Sequence, residues 1–431
     1  MGQRLIVLAL LAVAVPTAAA SAASARPASL PNWAGPQIRM VVAQGLFGQT
    51  KAATFHPNDA LTRQTLANLA FGLQQALVPP VVAPPTTTPL PTDPTATDQT
   101  VTDPASTDAT ATEPAPTEPT ATEPAPSEPA PVGGDVGTTT DPTATEPAPT
   151  EPPADSGPTA PPKVSRPDAS ASMSALDARL VASLGLTHAA DEFAKGAKAA
   201  GLSVPSRFGT EVAARLLGLR TNHPAAQDFL ELRPQDPATR AEAAYSAAQI
   251  LGFGWLGNSW QTAAVQSLAD SFELPALSPW QTRILDVAFS KIGMPYIWGG
   301  TSDGTEAPFG VRSRGGYDCS GFVWRVYKLQ SYPGERGLAS TLRGRTTYQM
   351  SVEVPRSQLI PFAKLQPADV IFFGDRGPNS SSAEVGHMGI YVGNGWFIHS
   401  SGYGVALAQL TGWYRHEFAW GRRPLREAGL G

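Results

Sequence analysis

Gly386-His387-Met388-Gly389-Ile390-Tyr391-Val392-Gly393-Asn394-Gly395-Trp396-Phe397-Ile398-His399 is a pair of short apolar runs separated by Gly-Asn-Gly. Strand-forming residues on both sides of a turn cluster predict a β-hairpin. If the three residues Gly393-Asn394-Gly395 form the loop, Val392 pairs with Trp396 and Gly389 with His399. His387 and His399 then share one face as diagonal neighbours, close enough for their rings to meet. A two-residue loop would place them on opposite faces, so their pairing depends on an odd loop length.

Working outward, Pro367-Ala368-Asp369-Val370-Ile371-Phe372-Phe373 reads as a further strand, and a helix is expected from Asp318 onward. Phe322, Val323 and Val326 lie three, four and seven positions after Cys319, which sets Cys319 on the first turn of that helix and on its inward face. It is the one cysteine of the 431 residues, so intramolecular disulfides and multi-cysteine metal sites are excluded. A helix N-terminus presents unpaired N–H groups and a partial positive charge, so the thiol is expected to be acidified into its reactive form. Of the six histidines, His387, His399 and His416 share this region. The expected roles are Cys319 as nucleophile, His387 as base and His399 as the group that orients the base, with His416 on the surface. Upstream, Ser278-Pro279 is an N-cap followed by proline at the first helical position. Ile284, Val287, Ala288 and Ile292 make one stripe before Gly293 ends that helix.

The order Cys, His, polar group, with a helix ahead of an antiparallel sheet, resembles the NlpC/p60 papain-like cysteine peptidases of bacterial cell walls. Four motifs carry the resemblance: M-P-Y-I-W-G-G from Met294, Y-D-C-S-G-F-V from Tyr317, P-A-D-V-I-F-F from Pro367 and G-H-M-G-I-Y-V-G-N-G-W-F-I-H from Gly386. The resemblance implies a cofactor-free peptidoglycan endopeptidase acting on stem peptides, at the bond from γ-D-glutamate to the diamino acid. It also implies that Tyr296, Asp318 and Ser320 build the pocket that receives a peptide amine. Residues 301–316 lengthen the connection between the Tyr and Cys motifs, and P-A-D stands where the family often has P-G-D. Two other readings compete: a non-catalytic wall-binding protein, and an amidase or acyltransferase using the same thioester chemistry.

The rest of the chain differs in composition. Residues 79–170 hold 24 of the 43 prolines, 14 acidic against 2 basic residues, and no Phe, Tyr, Trp or Cys. T-A-T-E-P-A-P-[TS]-E-P recurs three times within them. Such a tract cannot bury enough apolar surface to offset the entropy of ordering it and reads as a disordered, extended spacer. It carries a net −12 against −5 for the whole chain, so everything else is mildly basic. That charge is too diffuse to argue for nucleic acid. Arg4, the apolar run Leu5 to Val15 and the small residues that follow read as a secretory signal peptide over 1–25. No other segment is long enough to span a membrane, so the mature protein is expected outside the cell and associated with its wall.

Between these tracts, 31–78 and 171–275 carry helical Ala/Leu spacing and an internal repeat. Phe55-His56-Pro57-Asn58-Asp59-Ala60-Leu61-Thr62-Arg63 aligns with Leu232-Arg233-Pro234-Gln235-Asp236-Pro237-Ala238-Thr239-Arg240. Thr62 and Thr239 stand where N-caps belong, and Glu242 is placed to complete a capping box. With Trp33-Ala34 and Gly45-Leu46-Phe47, this resembles surface-layer homology (SLH) motifs, with a degenerate middle copy running from Leu184-Gly185-Leu186 to Phe208-Gly209-Thr210-Glu211. The resemblance implies a module binding secondary cell-wall polysaccharide through Arg63, Arg240 and Trp33. The expected whole is an α+β papain-like domain over 277–426, preceded by a mostly helical module that the 79–170 spacer interrupts.

Overall fold

The computed structural model describes residues 33–48, 51–77 and 160–431. The expected leader at 1–25 and most of the expected spacer lie outside the described residues. No described helix is long and apolar enough to cross a membrane.

The first body is helical: α1 (Gly35–Ala43), α2 (Arg63–Ala76), α3 (Met173–Ser183), α4 (Thr187–Ala199), α5 (Phe208–Leu216), α6 (Arg240–Gly252) and α7 (Gly254–Asp270). Three short extended segments tie it into a ring. Leu61 N donates to Ala238 O (2.8 Å), Ala238 N to Ala171 O (2.9 Å) and Ala171 N to Leu61 O (2.8 Å). Each segment then runs into a helix through a capping hydroxyl: Thr62 accepts from Thr65 N, Ser172 from Ala175 N and Thr239 from Glu242 N. The three ring residues are fully buried, so this closed set of bonds forms the centre of the body.

Two expectations change here. The third member of the ring is Arg166-Pro167-Asp168-Ala169-Ser170-Ala171-Ser172, which straddles the expected boundary at 170 between spacer and helical region, and not the stretch from Leu184 to Glu211. Serine replaces threonine at its cap and Met173 replaces arginine after it, so the repeat signature is lost while the backbone bonding survives. Glu242 also fails to close a capping box. Its side chain is buried 4.0 Å from Arg220 instead.

The second body begins with α8 (Pro279–Ser290), where Ser278 and Gln281 cap each other reciprocally. A two-stranded ribbon, β1 (Thr301–Ser302) and β2 (Gly316–Tyr317), leads into α9 (Cys319–Trp324), which continues through a π turn over Arg325–Leu329. Then come α10 (Leu338–Thr341), α11 (Thr347–Ser351), β3 (Val370–Gly374), β4 (Val385–Gly393), β5 (Trp396–Ser401), β6 (Gly404–Gln409), α12 (Gly412–Glu417), β7 (Phe418–Arg422) and α13 (Pro424–Glu427). β3 to β7 form one antiparallel sheet in the order β6-β5-β4-β3-β7, with α9 packed against β4 and β5.

One continuous apolar core runs through both bodies. Phe208 stacks on Phe289 at 5.0 Å, and Phe272 meets Trp396 edge-on at 5.2 Å. Polar contacts add to this seam: Arg207 donates to the carbonyls of Ser290 and Ile292, and Arg215 to that of Gly293. The helical body is therefore fixed against the back of the sheet domain by burial on a scale that excludes free swinging.

Candidate active site

Cys319 opens α9 because Asp318 stops the extended chain there and caps the helix, accepting from Gly321 N. Gly321 is required at that point. A Cβ would fall 1.9 Å from Gly300 O, so only glycine lets the helix start this close to the preceding loop. The sulfur lies 3.4 Å from Thr347 Oγ1 and receives the backbone N–H groups of Ser320 and Met388. Met388 is the neighbour of His387 on β4, so the helix start and the histidine strand meet at the sulfur.

His387 and His399 come together as expected, by a different route. The hairpin turn has two residues, Asn394-Gly395, both at positive φ as a tight hairpin turn requires. Gly393, not Val392, pairs with Trp396, and a bulge between Tyr391 and Gly393 adds the residue that the shorter turn removes. Parity is restored, and His387 Nε2 stands 2.7 Å from His399 Nδ1. That bond engages Nε2 of His387, and Cys319 and His387 line one cleft. His399 is held in turn by Phe397 and by the edge of Tyr414, with ring centroids 4.7 and 5.3 Å away. His416 is exposed and pairs with Glu417 away from the cleft.

The acidified thiol expected from the helix start is not what surrounds Cys319. Burial first, and the Asp318 charge second, push the thiol up to about 12, against the pull of Thr347 and the two backbone N–H groups. Burial lowers His387 to about 4 and holds His399 well below the ordinary histidine value. The six-residue helix start works against that burial and against the Asp318 charge. Burial thus favours the neutral forms of the thiol and of both imidazoles.

The three residues expected to form a substrate pocket, Tyr296, Asp318 and Ser320, line the same cleft of about 540 Å³ as Cys319 and His387. Several of its features went unforeseen. Arg345 reaches across to Asp318 and Ser320, and Thr347 touches the sulfur. Thr346 and Gln349 form a capping box, a signature that was legible and would have placed Thr347 on a first helical turn. Trp298, Phe309, Tyr348 and Trp413 give the cleft an exposed aromatic rim, and Asn222 enters it from the helical body.

The residues expected to meet polysaccharide differ in exposure. Arg63 is exposed at the start of α2. Arg240 is half-buried in the ring, donating from Nε to Phe55 O at 2.8 Å and lying over the rings of Phe47 and Phe55. Trp33 is half-buried, with its ring 4.5 Å from that of His223 and 5.9 Å from that of Tyr245.

Comparison with known proteins bears on the sheet domain alone. The NlpC/P60 family model matches residues 293–423. A probable peptidoglycan endopeptidase, LytE, of Bacillus subtilis is 29% identical over 133 residues, covering 31% of each chain. The murein DD-endopeptidase MepH of Escherichia coli is 29% identical over 160 residues, covering 36% of this chain and 50% of its own. A γ-D-glutamyl-L-lysine dipeptidyl-peptidase of B. subtilis is 26% identical over 120 residues, covering 28% of this chain and 32% of its own. A crystal structure of an NlpC/P60 family protein from Bacillus cereus aligns with 36% of this chain and 42% of its own, at 27% identity and a TM-score of 0.26. The chain spans about a third or less of the length of the first curated relatives it matches. Residues 293–423 are thus an NlpC/P60 domain whose homologues include peptidoglycan endopeptidases.

Proposed function

We propose that the protein is an exported cysteine endopeptidase of peptidoglycan, cutting stem peptides at the bond from γ-D-glutamate to the diamino acid. The observation that carries this reading is one cleft lined by Cys319 and His387, with His387 bonded to the buried His399 behind it. In the first step Cys319 Sγ attacks the amide carbon while its proton passes to His387 Nδ1. His399 holds the base in orientation through Nε2 and shares the imidazolium charge. Collapse of the tetrahedral adduct breaks the C–N bond, His387 returns the proton to the leaving amine, and a thioester remains. Water, deprotonated by the same imidazole, then releases the acid and restores the thiol. Two relatives are named for different bonds, a DD-bond and a γ-D-glutamyl bond, so the bond is the first thing to measure. Mass spectrometry of fragments released from purified peptidoglycan should show new γ-D-glutamate ends with wild-type protein and none with Cys319→Ala. Fragments ending in D-alanine would move the cut to the cross-bridge, and full release by Cys319→Ala would remove the mechanism.

The wall tether is the second part of the proposal. The ring of three capped segments supports an SLH-like module binding secondary wall polysaccharide. Arg63 is the exposed contact, and the half-buried Arg240 and Trp33 are the further contacts of this reading. Full-length Cys319→Ala protein should sediment with intact sacculi and be released when the secondary polymers are chemically stripped. Equal sedimentation with stripped sacculi would reject the tether.

A further inference from the structure

The sheet domain does not build the cleft alone. Asn222 lines it too, from outside residues 293–423, on the segment that follows α5 in the helical body. That segment is anchored on both sides of Asn222. Before it, Leu219 O accepts from Ser246 Oγ at 2.8 Å, and Arg220 donates to Asp177 Oδ2 from Nε at 3.1 Å and from Nη2 at 2.8 Å. After it, the His223 backbone N–H donates to Glu231 Oε1 at 2.6 Å, His223 Nδ1 lies 2.8 Å from the same oxygen, and Trp33 packs edge-on against the imidazole. A Cβ on Gly218 would lie 3.9 Å from the Tyr403 ring, so the segment starts beside the β5–β6 turn, whose Ser401 and Gly402 also line the cleft. Asn222 Oδ1, in contrast to these anchors, is enclosed and accepts no hydrogen bond among the described residues. A polar side chain fixed by its neighbours and left without a partner is uncommon and costs stability, which a ligand in the cleft can offset. With Oδ1 enclosed, Nδ2 is the amide atom left to meet that ligand.

We propose that Asn222 is a specificity-determining residue lent to the cleft by the helical body, and that its Nδ2 donates to the α-carboxyl oxygen of the γ-D-glutamyl residue. The inference rests on the endopeptidase reading above and names the substrate group that Asn222 meets. A γ-linkage leaves the α-carboxyl as a side branch of the peptide, next to the bond to be cut. That branch is a carboxylate or, when amidated, a carboxamide, and both present an oxygen to a wall donor. The charged side chains lining the cleft are Asp318 and Arg345, which bond each other at 3.2 Å, and burial disfavours the charged form of His387. Among the described residues no unpaired cation lines the cleft, so the branch has to be received by neutral donors. The Asn222 amide is such a donor, and its geometry is set by bonds its neighbours make. The helical body braces the cleft at a second point. Arg233 donates from Nη1 to Asp303 O at 3.3 Å, which ties the repeat segment to the 301–316 connection carrying Phe309.

The test uses the full chain and two peptides, L-Ala-γ-D-Glu-diamino acid with its α-carboxylate free and the same peptide with that group amidated. Asn222→Asp removes the donor and sets a carboxylate against the substrate's own, so kcat/KM should shift at least about tenfold toward the amidated peptide relative to wild type, chiefly through KM. A smaller shift, or one in the opposite direction, overturns the proposal. Asn222→Ala removes the donor without adding charge and guards against a local folding defect in the Asp variant. It should raise KM for both peptides by at least about threefold while kcat stays near wild type. An unchanged KM, or a loss confined to kcat, overturns the proposal. Binding of both peptides to Cys319→Ala protein, with and without Asn222→Asp, makes the same comparison without turnover. The same shift in relative affinity supports the proposal, and its absence, or no binding of either peptide, overturns it. Failure of the endopeptidase reading looks different: the shift in binding is seen but neither peptide is cut by wild-type protein, or Cys319→Ala still hydrolyses them.

Discussion

In the helical body the charges Asp177, Glu211, Arg215, Arg220 and Glu242 are buried, whereas in the sheet domain Asp318 and His387 line the cleft and His399 stands buried behind His387. The two groups are finished to different standards. Asp318 has five donors, and His387 is bonded to His399 at 2.7 Å. In the helical cluster Glu211 Oε2 comes within 2.6 Å of Arg215, yet neither oxygen of Glu211 accepts a well-aligned hydrogen bond, and Asp177 Oδ1 has no partner. Buried charge costs free energy unless its hydrogen bonds are complete. The cleft thus uses polar groups to set geometry, and the helical body carries charge at a cost that depends on protonation.

The largest effect should come from the cleft. His387→Ala should lower kcat/KM by about 10³-fold or more, with the thermal midpoint nearly unchanged, while His399→Ala should be milder because water can replace part of an orienting group. The base is active only when unprotonated, and burial lowers it to about 4. The acid limb of kcat/KM should therefore lie well below the ordinary histidine value near 6.5. A limb at 6.5 would mean that His387 is solvated or is not the base.

The next effect separates the helical body from the cleft. Burial raises Glu242 to about 7, despite the opposing charge of Arg220, and raises Glu211 in the same direction. A carboxyl held up in the folded chain binds its proton more tightly there than in the unfolded chain, so stability falls as pH rises from 5 to 8. For Glu242 the change is about 2–3 kcal/mol. Glu242→Gln should flatten that part of a urea-denaturation profile measured against pH. Below about pH 4 the trend should reverse, because Lys291 and Tyr317 outweigh burial and hold Asp303 below the usual carboxylate range, and protonating it forfeits those contacts.

The smallest effect tests a single backbone angle beside β3. Ala368 has φ +68° and is buried, with its carbonyl accepting from Tyr327. A left-handed conformation costs an L-residue about 1–2 kcal/mol, part of which glycine recovers. Ala368→Gly should raise stability by about 0.5–1 kcal/mol with activity unchanged, and a loss would show that the methyl group's packing outweighs the strain.

Cys319, His387 and His399 were legible because each lies where local rules act: a capped helix start and alternation along a hairpin. The hairpin turn was misread, since a bulge at Val392 has no residue signature and depends on what the neighbouring strand accepts. Arg345 was invisible for another reason. It is a single arginine between helices, and its partners are brought to it from 25 to 46 positions away. The third ring segment was hidden by composition, because proline, serine and alanine at 166–172 continue the texture of the spacer while the backbone bonds do not. Glu242 had the spacing of a capping box, but packing against Arg220 won.

The ring also decides what a single cut would do. The segment over residues 33–77 supplies α1, α2 and one side of the ring, and everything else the structure describes begins at Ala160. A proteolytic nick anywhere between Leu77 and Ala160 severs no ring bond. It does turn one polypeptide into two, held together by the Leu61 bonds and by the packing of α1 and α2 on α6 and α3. From then on the helical body is a complex with a dissociation constant. Its persistence depends on concentration, and dilution of the small fragment would open the face of α6 to solvent while leaving the cysteine site's own domain whole.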